Sequence, residues 1–253
     1  MSPYILAETN WKEVKTHRYQ VAVLPWGATE AHNYHLPYAT DNIQCDHVAA
    51  RSAELAWQQG GRPIVLPTVP FGVNTGQMDV ELCLNMNPST QLALLMDLVQ
   101  VLSNHGIHKL VILNGHGGND FKSMIRELSV RYPEVFVCCV NWYRASDQTQ
   151  IFDEPGDHAG EMETSCIMHL APDLVRDLSE AGDGSAKKFK PEALKKGWAI
   201  AQRAWTQVTQ DTGVGDPSKA TAEKGKLYLE QSAVQIAKFL VELGSLKNDE
   251  LYE

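Results

Sequence analysis

The sequence predicts an α/β fold over residues 1–253, a single-domain layered sandwich with a mostly parallel central sheet flanked by helices. Three observations lead there. Short apolar runs rich in β-branched residues recur along the chain, stretches of helical periodicity fall between them, and the early runs are closed by Pro or by a Gly-rich turn. Strands that alternate with helices in this way build βαβ units, whose right-handed crossovers place helices on both faces of the sheet.

The first strand is VAVLP at 21–25, short enough and apolar enough to be buried on both sides. Residues 46–59 carry Ala, Val and Leu at helical spacing and stop at Gly60-Gly61. A second strand at 64–66 is closed by Pro67. Leu92, Leu95, Val99 and Leu102 form one stripe of an amphipathic helix over 88–104. LVIL at 110–113 is a third strand, followed by a helix over about 120–131, and VFVCCV at 135–140 is a fourth. Residues 159–170 read as helix with Asp157 as a cap. The polar stretch 182–215 has no clear strand and reads as an excursion or lid. Leu227, Val234, Ala237, Phe239 and Leu240 mark a final helix over 221–243.

Composition excludes several function classes. With 22 Lys and Arg against 31 Asp and Glu, the net charge is −9, which argues against a nucleic-acid partner that needs clustered cations. The densest basic stretch, Lys187 to Lys196, reads as a solvated helix face. No segment reaches the roughly 20 apolar residues of a membrane span, and the polar N-terminal residues lack the pattern of a secretory signal. Five cysteines without paired spacing read as reduced, structural thiols. The expectation is a cytoplasmic protein that acts on a small molecule, with no nucleic-acid or membrane partner.

Ligand-binding groups in such sheets lie beyond the carboxyl ends of the strands. The first strand is followed by Glu30, His32, His35 and Asp41, the third by Asn114-Gly-His116-Gly-Gly118-Asn119, and the fourth, after a longer connection, by Asp157-His158-Ala-Gly-Glu161-Met-Glu163. Residues two apart in an extended segment face the same way, so Glu30 and His32 can address one centre. Imidazole and carboxylate donors suit Zn, Mn or Fe, and an Asp can bridge two such ions. His158 remains as a proton carrier active near neutral pH. No P-loop, dinucleotide fingerprint, nucleophile elbow or zincin motif competes.

Four segments together resemble the creatininase (creatinine amidohydrolase) family: LPWGATEAHNYHLPYATD at 24–41, NGHGGN at 114–119, DHAGEMETS at 157–165 and GDPSKATAEKG at 215–225. The resemblance implies a creatininase-like α/β fold, assembly into a homohexamer, and a centre of two divalent metal ions. By position, Glu30 and His116 would bind one ion, His32 the other, and Asp41 both. Creatininase carries a Glu where this chain has Gly118, and Glu161 is the expected replacement ligand. His158 matches the catalytic histidine, and Asn74 falls where a substrate-contacting serine lies. Trp142 and Tyr143 follow the fourth strand, where such aromatics either pack in the core or an interface or form an apolar wall for a ring-shaped substrate, and Trp142 is expected to contact the substrate. The expected activity is metal-dependent hydrolysis of a small amide, cyclic or formamide-like, with a metal-activated water as nucleophile and His158 as acid/base. Two alternatives stand beside it: a hydrolase cleaving a C–C bond of a cyclic ketone such as an oxidised cyclitol, and a non-catalytic metal-binding assembly protein.

Overall fold

The computed structural model describes residues 2–253. The four apolar runs form β1 (Val21–Trp26), β2 (Pro63–Val65), β3 (Lys109–Asn114) and β4 (Phe136–Asn141). They make one sheet in the order β2-β1-β3-β4, parallel throughout. Every residue of β1 and β3 is buried, because both strands are central and both sheet faces are covered. β4 lies at an edge and is only partly covered. The other edge, β2, is met by the N-terminal segment, where the Val65 N–H donates to the Tyr4 carbonyl at 2.8 Å.

Among the described residues, eight helices surround the sheet: α1 (Trp11–Val14), α2 (Thr40–Gln58), α3 (Pro88–Asn104), α4 (Lys122–Arg131), α5 (Glu161–Leu170), α6 (Glu192–Lys195), α7 (Trp205–Val208) and α8 (Ala222–Ser245). One core joins α2, α5 and α8 to the sheet through Val48, Cys166, Tyr228 and Ile236. The other joins α3 and α4 to it through Leu95, Val99, Met124 and Leu128. The predicted stripe on α3 is the one that faces inward, and Pro88 opens that helix, where a missing N–H costs nothing.

Two boundaries differ from expectation for local reasons. Helix α2 begins at Thr40, ahead of the predicted start at 46, because its polar first turn, including buried Asp41, faces the site and not the apolar core. Helix α5 starts at Glu161 and not at 159, because Ala159 adopts a left-handed φ of 52° that no helix continues through. All five cysteines are free thiols, with Cys45 and Cys166 buried. Residues 182–215 hold only the single-turn helices α6 and α7 and no strand. Among the described residues, no helix is long and apolar enough to cross a membrane.

The register decides where the site lies. Trp26 stands opposite Asn114, and Asn114 opposite Asn141, so three strands end level and their loops leave from one edge. The N-termini of α2 and α5 carry Asp41 and Glu163 in their first turns.

Candidate metal centre and active site

The loop after β3 is held rigid by its own asparagines. The Asn114 side chain donates to the His116 carbonyl at 2.9 Å and accepts from the His116 N–H at 3.2 Å and from Asn119 at 2.9 Å. Asn119 in turn accepts from the Val73 N–H at 3.0 Å and from Gln91 at 2.9 Å. This network fixes the His116 ring. Its Nε2 donates to the Val73 carbonyl at 3.1 Å, so its Nδ1 is the free basic nitrogen. Nδ1 lies 2.8 Å from Glu30 Oε1 and 3.1 Å from Asp41 Oδ2.

His32 is arranged on the same plan. Its Nδ1 donates to the Glu30 carbonyl at 3.1 Å, and its Nε2 lies 3.1 Å from Asp41 Oδ1 and 4.0 Å from Glu163 Oε2. His158 donates from Nε2 to the Ala31 carbonyl at 2.8 Å, leaving Nδ1 basic, and its ring stacks on His32 with centroids 4.1 Å apart. These three histidines are thus anchored through one nitrogen to a backbone carbonyl, and for His32 and His116 the other nitrogen faces carboxylates. Asp41 divides its two oxygens between those two rings.

This donor set fits two cations. Donor atoms of Glu30, Asp41 and His116 fall within 4.8 Å of one another, as do those of His32, Asp41 and Glu163, and Asp41 is common to both groups. Lone pairs of Nδ1 and Nε2 aimed at carboxylate oxygens repel unless positive charge lies between them. No Lys or Arg among the described residues pairs with Glu30, Asp41 or Glu163. Protonation responds to the same demand. Burial opposes charge on His32, but Asp41 and Glu163 beside it raise its pKa to about 10. Burial likewise opposes charge on His116, and Glu30 and Asp41 hold it well above the usual imidazole range. Burial pushes the carboxyls up, and against it the imidazoles keep Asp41 and Glu30 low. Glu163, farther from the imidazoles, is raised by its burial.

Of the expected ligands, the structure brings Glu30, His32, Asp41 and His116 together, and it does not bring Glu161. Side chains two apart on a helix point about 200° apart, so Glu161 and Glu163 leave α5 on opposite sides. Glu161 turns away to Lys224 and accepts the Glu154 N–H at 3.0 Å. Glu163 turns toward His32. Gly118 is not simply a lost ligand either. A Cβ there would lie 2.4 Å from His116 Nε2 and 2.5 Å from the Val73 carbonyl, so no side chain fits. Trp142 is also corrected: it is fully buried in the core against Tyr228, because the turn after β4 rotates it inward, and its neighbour Tyr143 lines the cavity instead.

The centre opens into a cavity of about 830 Å³, lined by Glu30, Asp41, His116, His158 and Glu163 and also by Tyr143, Arg144 and Trp205. Asn74 lines it too. Its amide donates to the Leu84 carbonyl at 3.0 Å, while its Oδ1 is buried without a partner. Sequence reasoning missed Gln77, which donates to Glu30 Oε2 and fixes that carboxylate. It also missed Trp205. A faint signal for Gln77 lay in the run Asn74-Thr75-Gly76, whose residue types favour a turn. That turn is closed by the Gln77 N–H on the Asn74 carbonyl at 2.9 Å, and only the fold shows that it faces Glu30.

The chain is similar to known proteins over most of its length. The family model described as "Creatininase: Creatinine amidohydrolase" matches residues 7–240. The creatinine amidohydrolase of Pseudomonas putida is 25% identical over 256 residues, covering 92% of this chain and 94% of that one. The mycofactocin precursor peptide peptidase of Mycolicibacterium smegmatis is 26% identical over 212 residues, covering 81% of this chain and 78% of its own length. A crystal structure from Bacteroides fragilis NCTC 9343, of a protein provisionally named a creatinine amidohydrolase, is 43% identical and superposes over 100% of both chains with a TM-score of 0.92. The fold and the buried His, Glu and Asp clusters define a metal-dependent amidohydrolase class. The chain belongs to the creatininase family and is an enzyme of that family.

Proposed function

We propose that the protein hydrolyses a small amide, cyclic or formamide-like, at a centre of two divalent ions. In this reading Glu30, Asp41 and His116 hold one ion, and His32, Asp41 and Glu163 hold the other. The observation that carries it is the division of the Asp41 carboxylate between two histidines that are each anchored from behind by a backbone carbonyl. Two creatininase structures that share the fold at 24% identity are a Zn–Zn form and a manganese form, which supports ions of this class. When bound, such ions would lower the pKa of water toward neutrality and polarise a carbonyl.

The chain's own residues supply the remaining steps. His158 takes a proton at Nδ1 and returns it to the leaving nitrogen, while its Nε2–H stays on the Ala31 carbonyl and keeps the ring in place. Asn74 Oδ1, the unpartnered buried acceptor, receives an N–H of the substrate. Gln77 keeps the Glu30 carboxylate aimed at the centre. A cavity of about 830 Å³ lies in the range that encloses a drug-sized ligand and leaves room for a substituent beyond the scissile amide.

The test is metal analysis of the purified protein, followed by assay of Zn- and Mn-loaded samples on lactams, formamides and keto-cyclitols. Two ions per chain with turnover of an amide is the expected result. Turnover confined to the keto-cyclitols would replace amide hydrolysis by C–C hydrolysis, and an inert, fully loaded protein would favour a binding role. Light scattering tests the hexamer that the family resemblance implies.

A further inference from the structure

The stretch 182–215 reaches the centre through Trp205. The base of the stretch is stitched by buried Asp211, which accepts from Gly184 N–H at 3.1 Å, Gly213 N–H at 2.8 Å and Thr209 Oγ1 at 2.7 Å. Between these anchors, none of residues 185–208 is buried, and Trp198 and Ile200 are exposed. So few buried contacts make this the least stable part of the site.

Its tip is nevertheless fastened at several points. The Trp205 ring lies 4.8 Å from the His158 ring, on a histidine that already stacks on His32. The Arg203 guanidinium lies 4.7 Å from the Trp205 ring and pairs with Asp157 at 2.8 Å, the residue before His158. The Trp205 N–H donates to the Gly76 carbonyl at 3.0 Å. A Cβ on Gly76 would lie 2.2 Å from the Arg203 carbonyl, so only glycine lets the tip seat this closely. Thr206 donates to Asp79 on the same loop.

We infer that Trp205 and Arg203 are positioning residues: seating the 185–208 lid clamps the His158 ring between Trp205 and His32, and the ring's aim depends on that clamp. The inference rests on the proposed role of His158. Misplacing a reacting group by about 1 Å costs on the order of 100-fold in rate, which sets the size of effect to look for.

The experiment uses Zn-loaded full-length protein and the variants Trp205→Ala, Trp205→Phe and Arg203→Ala. Hydrogen exchange should rise about tenfold or more over 157–160 and 200–208 in Trp205→Ala, with bound zinc unchanged, and Trp205→Phe should recover most of the protection. On whichever substrate the screen yields, kcat should fall about 10- to 100-fold in Trp205→Ala, with a smaller change in KM, and recover in Trp205→Phe. Unchanged exchange over 157–160 overturns the clamp, as does raised exchange with an unchanged kcat. Should Trp205→Ala fail to fold, Arg203→Ala reads the same exchange. A protein inert on every substrate, yet with raised exchange over 157–160 in Trp205→Ala, sinks the hydrolase reading and leaves the clamp standing.

Discussion

The two sides of the cavity are built by opposite means. On the sheet side, Glu30, His32, Asp41 and His116 are buried, and each histidine is fixed at its far nitrogen by a carbonyl. They sit on strand ends and a helix N-terminus whose level register leaves them little freedom. On the lid side, short single turns stand in solvent and are held by a few contacts at Trp205 and Arg203. Backbone strain marks both sides: Asn33 and Ala159, each directly after a site histidine, have φ values of 55° and 52°, and Thr212, in the stretch 182–215, has a φ of 63°. Such positions cost about 1 kcal/mol or more and persist where the surroundings enforce them. The contrast separates two jobs, holding charge and bearing on the His158 ring, and it gives them to different residues.

His158 lies on the boundary between the two sides, and replacing it is the strongest test of that division. His158→Ala should lower kcat by about 100- to 10,000-fold while metal content stays near that of the parent. Metal lost in proportion to activity would move His158 from proton transfer to ion binding and break the separation. Asp41→Asn is the complementary change. It removes the charge that both rings share, and metal affinity should fall by more than about 100-fold, measured by competition with a chelating dye. An unchanged affinity would mean that Asp41 is not the shared ligand.

Much of the rigid side was legible in the sequence because strand ends announce themselves. Glu30, His32 and His116 follow apolar runs closed by Pro or Gly, and a parallel sheet must bring such exits to one edge. The stretch 182–215 was legible as an excursion or lid, but its contacts were not: Trp205 and Arg203 follow no periodic segment, and only the seat on Gly76 shows where they go. Glu161 and Glu163 were separated by helix phase alone. Both stand in the first turn of α5, and a two-residue boundary error, set by the unforeseen φ of Ala159, leaves their directions undetermined. Trp142 and Tyr143 raise the same difficulty after β4, where they stand in a 3-10 turn that sets successive side chains about 120° apart and a residue's type does not say which is inside.

The two glutamates sharpen the comparison within one helix turn. Glu163→Gln should reduce bound metal from two ions toward one, with little loss of stability, as read by metal analysis after dialysis. Glu161→Gln should leave metal content unchanged and cost about 1 kcal/mol of stability, because it weakens the tie of buried Glu161 to Lys224 in α8. If Glu161→Gln lost an ion and Glu163→Gln did not, the assignment of the two would be reversed.

His35 belongs to the rigid side but takes no part in its charge. His35 is buried, its Nε2 meets Thr164 Oγ1 at 2.8 Å, and its Nδ1 has no partner. Burial, together with the nearby His32, lowers its pKa to about 4. An unfolded histidine titrates near 6.5, so between those values the unfolded chain binds a proton that the folded chain refuses. Stability on this account is complete above about pH 6.5 and falls as pH drops toward 4, with on the order of 1–2 kcal/mol gone by about pH 5. Denaturant midpoints of chelator-treated parent and His35→Gln, compared at about pH 7.5 and about pH 5, should show the parent losing more on acidification. Equal losses would mean that His35 accepts its proton in the folded protein, and that the rigid side yields to charge even where packing leaves no water to solvate it.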